Sequence, residues 1–173
     1  AGHNAPFTRP AGDPESGSVQ DTMEYWWRTR KVSRRKLTLG LPCYGRGFDA
    51  REPYARVKRG RKPALEGADF RDVRPLLEAG WTRSRDGSAG VPWLLSPDRK
   101  AVLGYDDPES VAAKAAWAQA RGFGGIFFWE IQADRMPDGS HPLVESAVRG
   151  WRSSAAREEL KRKATPMPPK AAR

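Results

Sequence analysis

Cysteine is almost absent from this chain. Cys43 is the single one among 173 residues, which excludes an internal disulfide framework. Histidine is nearly as scarce. His3 and His141 lie too far apart in sequence for a metal-ligand spacing, so both read as loop residues and neither a metal nor a cofactor is expected. No apolar run is long enough to cross a bilayer, which argues against a membrane partner. The first residues lack the pattern of a secretory leader, and the chain opens on Ala1 in a polar stretch rich in Gly and Pro. That opening reads as the interior of a longer protein.

Tryptophan and positive charge are what the chain does have. The 7 Trp are large amphipathic rings suited to packing a core or stacking on a ligand. The net charge is +10, and its distribution is uneven. Residues 152–173 carry seven Lys and Arg against Glu158 and Glu159, half of the excess. This stretch reads as a solvated, disordered tail. Contact with nucleic acid or another acidic polymer is the weaker alternative, because no basic stripe of the nucleic-acid-binding kind is evident in the remainder.

The most informative stretch is Lys36–Phe48. Leu37, Leu39, Leu41 and Cys43 fall on one face at period two, while Thr38, Gly40, Pro42, Tyr44 and Arg46 fall on the other. The spacing predicts a buried strand, apolar on one side and small on the other, that runs out into a loop carrying Tyr44 and Arg46. Ahead of it, Ser18 followed three residues later by Asp21 predicts a helix start. Val19, Met23, Trp26 and Trp27 then form one apolar helical face. Further on, Asp107 and Pro108 mark a second helix start, Val111, Ala115 and Ala118 give it an apolar side, and Gly122 stops it. Gly124–Glu130 reads as a second buried strand with Phe127 and Trp129 on its inner face. Pro142 opens a last helix carrying Leu143, Ala147, Val148 and Trp151.

Residues 51–103 have a different character. A short helix over 69–78, broken by Pro75, is followed by strands near 80–84, 91–95 and 100–104. These segments read as a small α+β unit hung on a loop between β/α units. The whole divides into 1–50 (loop, helix and strand), 51–103 (insertion), 104–151 (helix, strand and final helix) and the tail 152–173.

Four of these segments together resemble glycoside hydrolase family 18, the chitinases. They are Gly2–Phe7, Gly40–Phe48, Tyr105–Ser110 with Lys114, and Gly124–Glu130. The resemblance covers roughly residues 1–151 and implies an α/β fold. That fold is a partial (β/α)8 TIM barrel, containing only its C-terminal units with strands seven and eight, together with the chitinase insertion domain. It implies binding of chitin or chitooligosaccharides and, for the intact family, substrate-assisted hydrolysis in which the sugar's acetamido oxygen attacks the anomeric carbon. The family's Asp-x-x-Asp-x-Asp-x-Glu run occurs nowhere in the chain, so no catalytic residue is assigned and the isolated chain is expected to be inactive. The N-terminal barrel half is the implied partner, in the same chain or another. Secretion is the localisation the family implies.

The resemblance assigns substrate contacts to Tyr44, Arg46 and Trp129, with Trp129 flooring the sugar subsite. Trp129 as core packing is the alternative, as is an ion pair of Arg46 with Glu130 or Asp106. Trp93 stacks on a more distant sugar or else plugs the insertion's own core. At the level of function, a non-catalytic chitooligosaccharide-binding protein is the alternative to a chitinase fragment.

Overall fold

A computed structural model describes residues 1–57, 62–153 and Glu158. The first helix, α1 (Val19–Glu24), starts where the sequence places it. The Ser18 hydroxyl accepts from the Asp21 N–H at 3.1 Å, and the Ser18 N–H donates to the Asp21 carboxylate at 3.2 Å, a reciprocal cap. The regular helix is shorter than expected, because Tyr25–Thr29 form a π turn. Its wider winding separates the two tryptophans. Trp27 packs against the core, whereas Trp26 stays 45% exposed.

The stretch 36–48 is two strands, not one. β1 (Thr38–Pro42) and β2 (Tyr44–Phe48) meet at Cys43 and belong to different sheets. Side-chain alternation runs straight through the junction, with Leu39, Leu41, Cys43, Gly45 and Gly47 all buried. Only the hydrogen-bonding partners change. β1 pairs in parallel with β7 (Gly125–Trp129), aligning Thr38 with Gly125 and Pro42 with Trp129.

One face of the β1–β7 pair carries Leu39, Leu41, Ile126 and Phe128 into a core shared with α3 (Pro108–Ala120) and α4 (Pro142–Trp151). Asp107 and Pro108 begin α3 as expected, and Val111, Ala115 and Ala118 are fully buried. The helix ends before Gly122, whose φ of +74° suits glycine. The two helices approach so closely that a Cβ at Gly150 would lie 2.2 Å from the Ala112 carbonyl oxygen. The start of α4 is held from a distance. The buried Asp134 carboxylate accepts from the N–H groups of Leu143 and Val144, each at 3.0 Å. Burial raises the pKa of Asp134, opposed by those two bonds.

The second sheet has five antiparallel strands in the order β3-β2-β6-β5-β4. They are β2, β3 (Gly67–Asp69), β4 (Thr82–Asp86), β5 (Val91–Leu95) and β6 (Val102–Gly104). This sheet begins at Tyr44, earlier than the division at residue 51 expected from composition. Between β3 and β4 runs α2 (Phe70–Glu78), which passes through Pro75 unbroken. One side of the sheet packs Leu94 and Leu103 against Val73 of α2. The other buries Trp93, Leu95 and Val102 with Ala50.

Residues 1–10 are more than a loop, because they close over this second side. The Phe7 N–H donates to the Ala89 carbonyl at 2.8 Å, and the His3 ring packs against that of Trp93. The tail expected over 152–173 lies outside the described residues, apart from Arg152, Ser153 and Glu158. Among the described residues no helix is long and apolar enough to cross a membrane.

His3, within this closing segment, gives the fold a pH dependence. Its side chain is fully buried, with Nε2 3.2 Å from the Asp86 carboxylate and the ring 4.1 Å from that of Trp93. Burial lowers the pKa of His3 from its ordinary 6.5, with the Asp86 hydrogen bond and charge opposing. Burial alone would raise Asp86. Bonds from Tyr54, Ser88, Ala89 and His3 instead hold it well below the usual carboxylate range.

The neutral ring is therefore the form the fold prefers. As pH falls below 6.5 the unfolded chain takes up the proton first, so stability drops until the folded ring itself protonates. Urea midpoints of the wild type should fall between pH 7 and pH 5, and His3→Gln should flatten that slope. Identical slopes for the two chains would exclude His3 as the source.

Candidate functional site

Parallel strands point their carboxyl ends the same way, and in barrel folds that end is where clefts open. β1 and β7 both end beside a groove of about 450 Å³ lined by Tyr44, Asp69, Asp72, Trp129 and Glu130. Trp129 lines it with 67% of its surface exposed. Its backbone is fixed where the parallel ladder finishes, since the Trp129 carbonyl accepts from the Cys43 N–H at 2.9 Å. The Trp129–Glu130 peptide is cis.

The wall is β2 with β3. Tyr44 is half-buried, and its carbonyl accepts from the Asn4 side-chain amide at 3.1 Å. On the same strand face, Arg46 is exposed. Among the described residues its side chain makes no ion pair with Glu130 or Asp106, and the buried Asp106 pairs instead with Lys114 at 2.5 Å.

Tyr44 and Trp129 thus line one groove, and Arg46 stands two residues along the same wall. Trp93 does not join them. It is 1% exposed, stacked by His3 and met edge-on by Tyr54 at 5.6 Å. A ring enclosed in this way has no face for a sugar, so the stacking expectation gives way to the core plug. The reason is the N-terminal segment, which seals the side of the sheet on which Trp93 lies.

Of the three lining carboxylates, the sequence places only Glu130 near the site, as an alternative ion-pair partner of Arg46; Asp69 and Asp72 have no such role there. Asp69 reads there only as a helix start, and in the structure it also pairs with Arg71 at 2.6 Å. Asp72 lies in the first turn of α2, and Glu130 follows directly on Trp129. The nearby Cys43 thiol is chemically quiet. Burial, with the charges of Asp134, Asp106 and Asp69, pushes its pKa up to about 12, so the nucleophilic thiolate is negligible at neutral pH. Among the described residues no cluster of His, Cys, Asp or Glu has the geometry to hold a metal ion.

A larger hollow, about 580 Å³, runs along the inner face of β1 and β7 beneath α1. Trp26, Met23, Thr38, Gly40 and Phe127 line it, and Phe127 is 51% exposed. A Cβ on Gly40 would meet the Phe127 ring at 2.9 Å, which explains the small residue at that position.

Helix-backed parallel strands, an antiparallel sheet raised beside their carboxyl ends and an open aromatic floor define an α/β cleft protein. The chain belongs to the glycosyl hydrolases family 18, whose sequence model matches residues 1–134. It is 35% identical to Chitinase A1 of Niallia circulans over 117 residues, 60% of this chain and 16% of that protein. It is 29% identical to Chitinase 1 of Aphanocladium album over 119 residues, 69% of this chain and 28% of that protein. The fold matches that of human YKL-39, a pseudo-chitinase with retained chitooligosaccharide binding properties. That match has a TM-score of 0.73 and 21% identity, covering 88% of this chain and 46% of that one. The chain spans only 16% to 34% of the length of these and similar curated relatives.

Proposed function

We propose that this chain is the C-terminal part of a chitinase-like protein that binds chitin or chitooligosaccharides along the Trp129 groove. In this reading β1 and β7 are strands seven and eight of a (β/α)8 barrel, and the five-stranded sheet with α2 is the insertion that deepens the cleft. Six preceding β/α units, in the same chain or another, fill the apolar hollow beside Phe127. The intact protein hydrolyses β-1,4-linked N-acetylglucosamine by the substrate-assisted route and acts outside the cell. No cofactor takes part.

Trp129 receives the apolar face of a sugar ring, Tyr44 hydrogen-bonds the same sugar, and Arg46 offers fixed-fork donors to its hydroxyl and acetamido oxygens. The acid that protonates the leaving oxygen is supplied by the preceding part, because its motif is absent from these residues.

The observation that carries this reading is the exposure of Trp129, 67% open on the same groove as Tyr44. A core tryptophan would be covered. Titration calorimetry with chitotetraose should show binding by the 173-residue chain, with Trp129→Ala weakening it about 10-fold or more, on the order of 1.4 kcal/mol. An unchanged affinity would remove Trp129 from the site. The second reading is a non-catalytic chitooligosaccharide-binding protein, supported by the likeness in fold to YKL-39, a pseudo-chitinase with retained chitooligosaccharide binding properties. Hydrolysis of chitotetraose by the chain alone would exclude it.

A further inference from the structure

The run between α1 and β1 is not used by the groove. Six of the nine residues 28–36 are Arg or Lys, and none is acidic. Arg28 and Arg34 hold their guanidinium groups 4.7 Å and 4.6 Å from the centre of the Trp27 ring. Arg34 also donates to the Arg121 carbonyl at 2.7 Å, which brings Arg121 beside the run. Glu24 is the one carboxylate here, 3.4 Å from Arg28 and 3.1 Å from Arg121. Arg30, Lys31, Arg35 and Lys36 are exposed, with no acidic partner among the described residues. Lys31 adopts a left-handed φ of +58°, a conformation that non-glycine residues seldom take.

Position decides what this face can do. The 3-10 turn Arg34–Lys36 leads into β1, and the Gly124 N–H, just before β7, donates to the Arg34 and Leu37 carbonyls at 3.0 Å and 2.8 Å. The cations therefore lie at the amino ends of both parallel strands. The Trp129 groove lies at the carboxyl ends, about 16 Å away along five residues. Ligands at the two ends would not compete.

We propose that this face binds an anionic polysaccharide, through sulfate or carboxylate groups. Two of the four unpartnered cations, Arg30 and Arg35, are arginines, whose planar fork matches such oxyanions two bonds at a time. The nearby ring of Trp27 is already engaged by two guanidinium groups. Arg30 and Lys31 follow the π turn and Arg35 and Lys36 lie in a 3-10 turn, so these cations are not carried by an α-helix that could enter a nucleic-acid groove. The proposal is independent of hydrolysis, but it fits a protein that works among polysaccharides.

The test is salt elution of the 173-residue chain from immobilised heparin, with two charge-matched variants. R30Q/K31Q/R35Q/K36Q removes four cations from this face and spares the pair on Trp27. K161Q/R162Q/K163Q/K170Q removes four from the tail. The face variant should elute about 0.2 M lower in NaCl than wild type, and the tail variant much less. Circular dichroism should match across all three chains, and chitotetraose binding should be unaffected by the face substitutions. A tail shift equal to or larger than the face shift would overturn the proposal. So would duplex DNA displacing the chain from heparin as well as soluble heparin does at equal charge.

Discussion

Lys114→Met is expected to destabilise the fold by about 3–5 kcal/mol, the range for breaking a buried ion pair from one side. Both side chains are sealed, Lys114 at 0% and Asp106 at 1% exposure. The ammonium also donates to the Ala5 carbonyl at 2.6 Å, tying α3 to the N-terminal segment. Methionine keeps the length of the side chain and removes the charge. The Asp106 carboxylate is then left with the Ser110 hydroxyl, 2.6 Å from Oδ1, while Oδ2 already has no hydrogen-bond partner among the described residues.

Against the 5–15 kcal/mol of an ordinary domain, such a loss is large. The double variant K114M/D106N removes the stranded charge and should recover part of it. Urea midpoints for the three chains check this. A single variant as stable as wild type would mean that the pair contributes nothing beyond its own desolvation cost.

Trp93→Ala is the second large effect, about 3–5 kcal/mol from lost burial and the cavity left behind. The ring fills the space between β5, the His3 imidazole and Tyr54, and alanine leaves those neighbours facing a void. The same variant separates the two roles the sequence left open for this residue. A core plug lowers the unfolding midpoint but leaves the affinity of the folded protein for chitotetraose unchanged. A sugar-stacking residue lowers the affinity and spares the midpoint. The first outcome is expected.

Much of the architecture is written locally. Ser18 with Asp21, and Asp107 with Pro108, mark helix starts because a cap is a contact within four residues. Period-two burial in β1, β2 and β7 follows from strand geometry alone. The handover at Cys43 leaves no such trace, since side chains keep alternating while the hydrogen-bonding partner changes from β7 to β3 and β6. Nor does the enclosure of Trp93, which depends on His3, ninety residues away. Trp26 was misplaced for a third reason. The π turn adds a residue to the winding, and a 3.6-residue wheel does not register it. At the site, Tyr44 and Trp129 were visible as strand ends. The carboxylates of Asp69 and Asp72 were not, because nothing local reports which distant segments share a groove.

Cys43 does more than mark the handover between sheets. Its N–H is bonded to the Trp129 carbonyl at 2.9 Å, and its own carbonyl accepts from the Phe70 N–H, the first residue of α2, at 2.8 Å. One residue's backbone therefore joins the strand end at Trp129 to the start of α2, as a corner bracket joins two panels. The junction between Pro42 and Tyr44 is therefore held on both sides by main-chain hydrogen bonds, not by side chains. Exchanging the side chains that line the groove would then alter what it recognises while leaving its width and pitch unchanged.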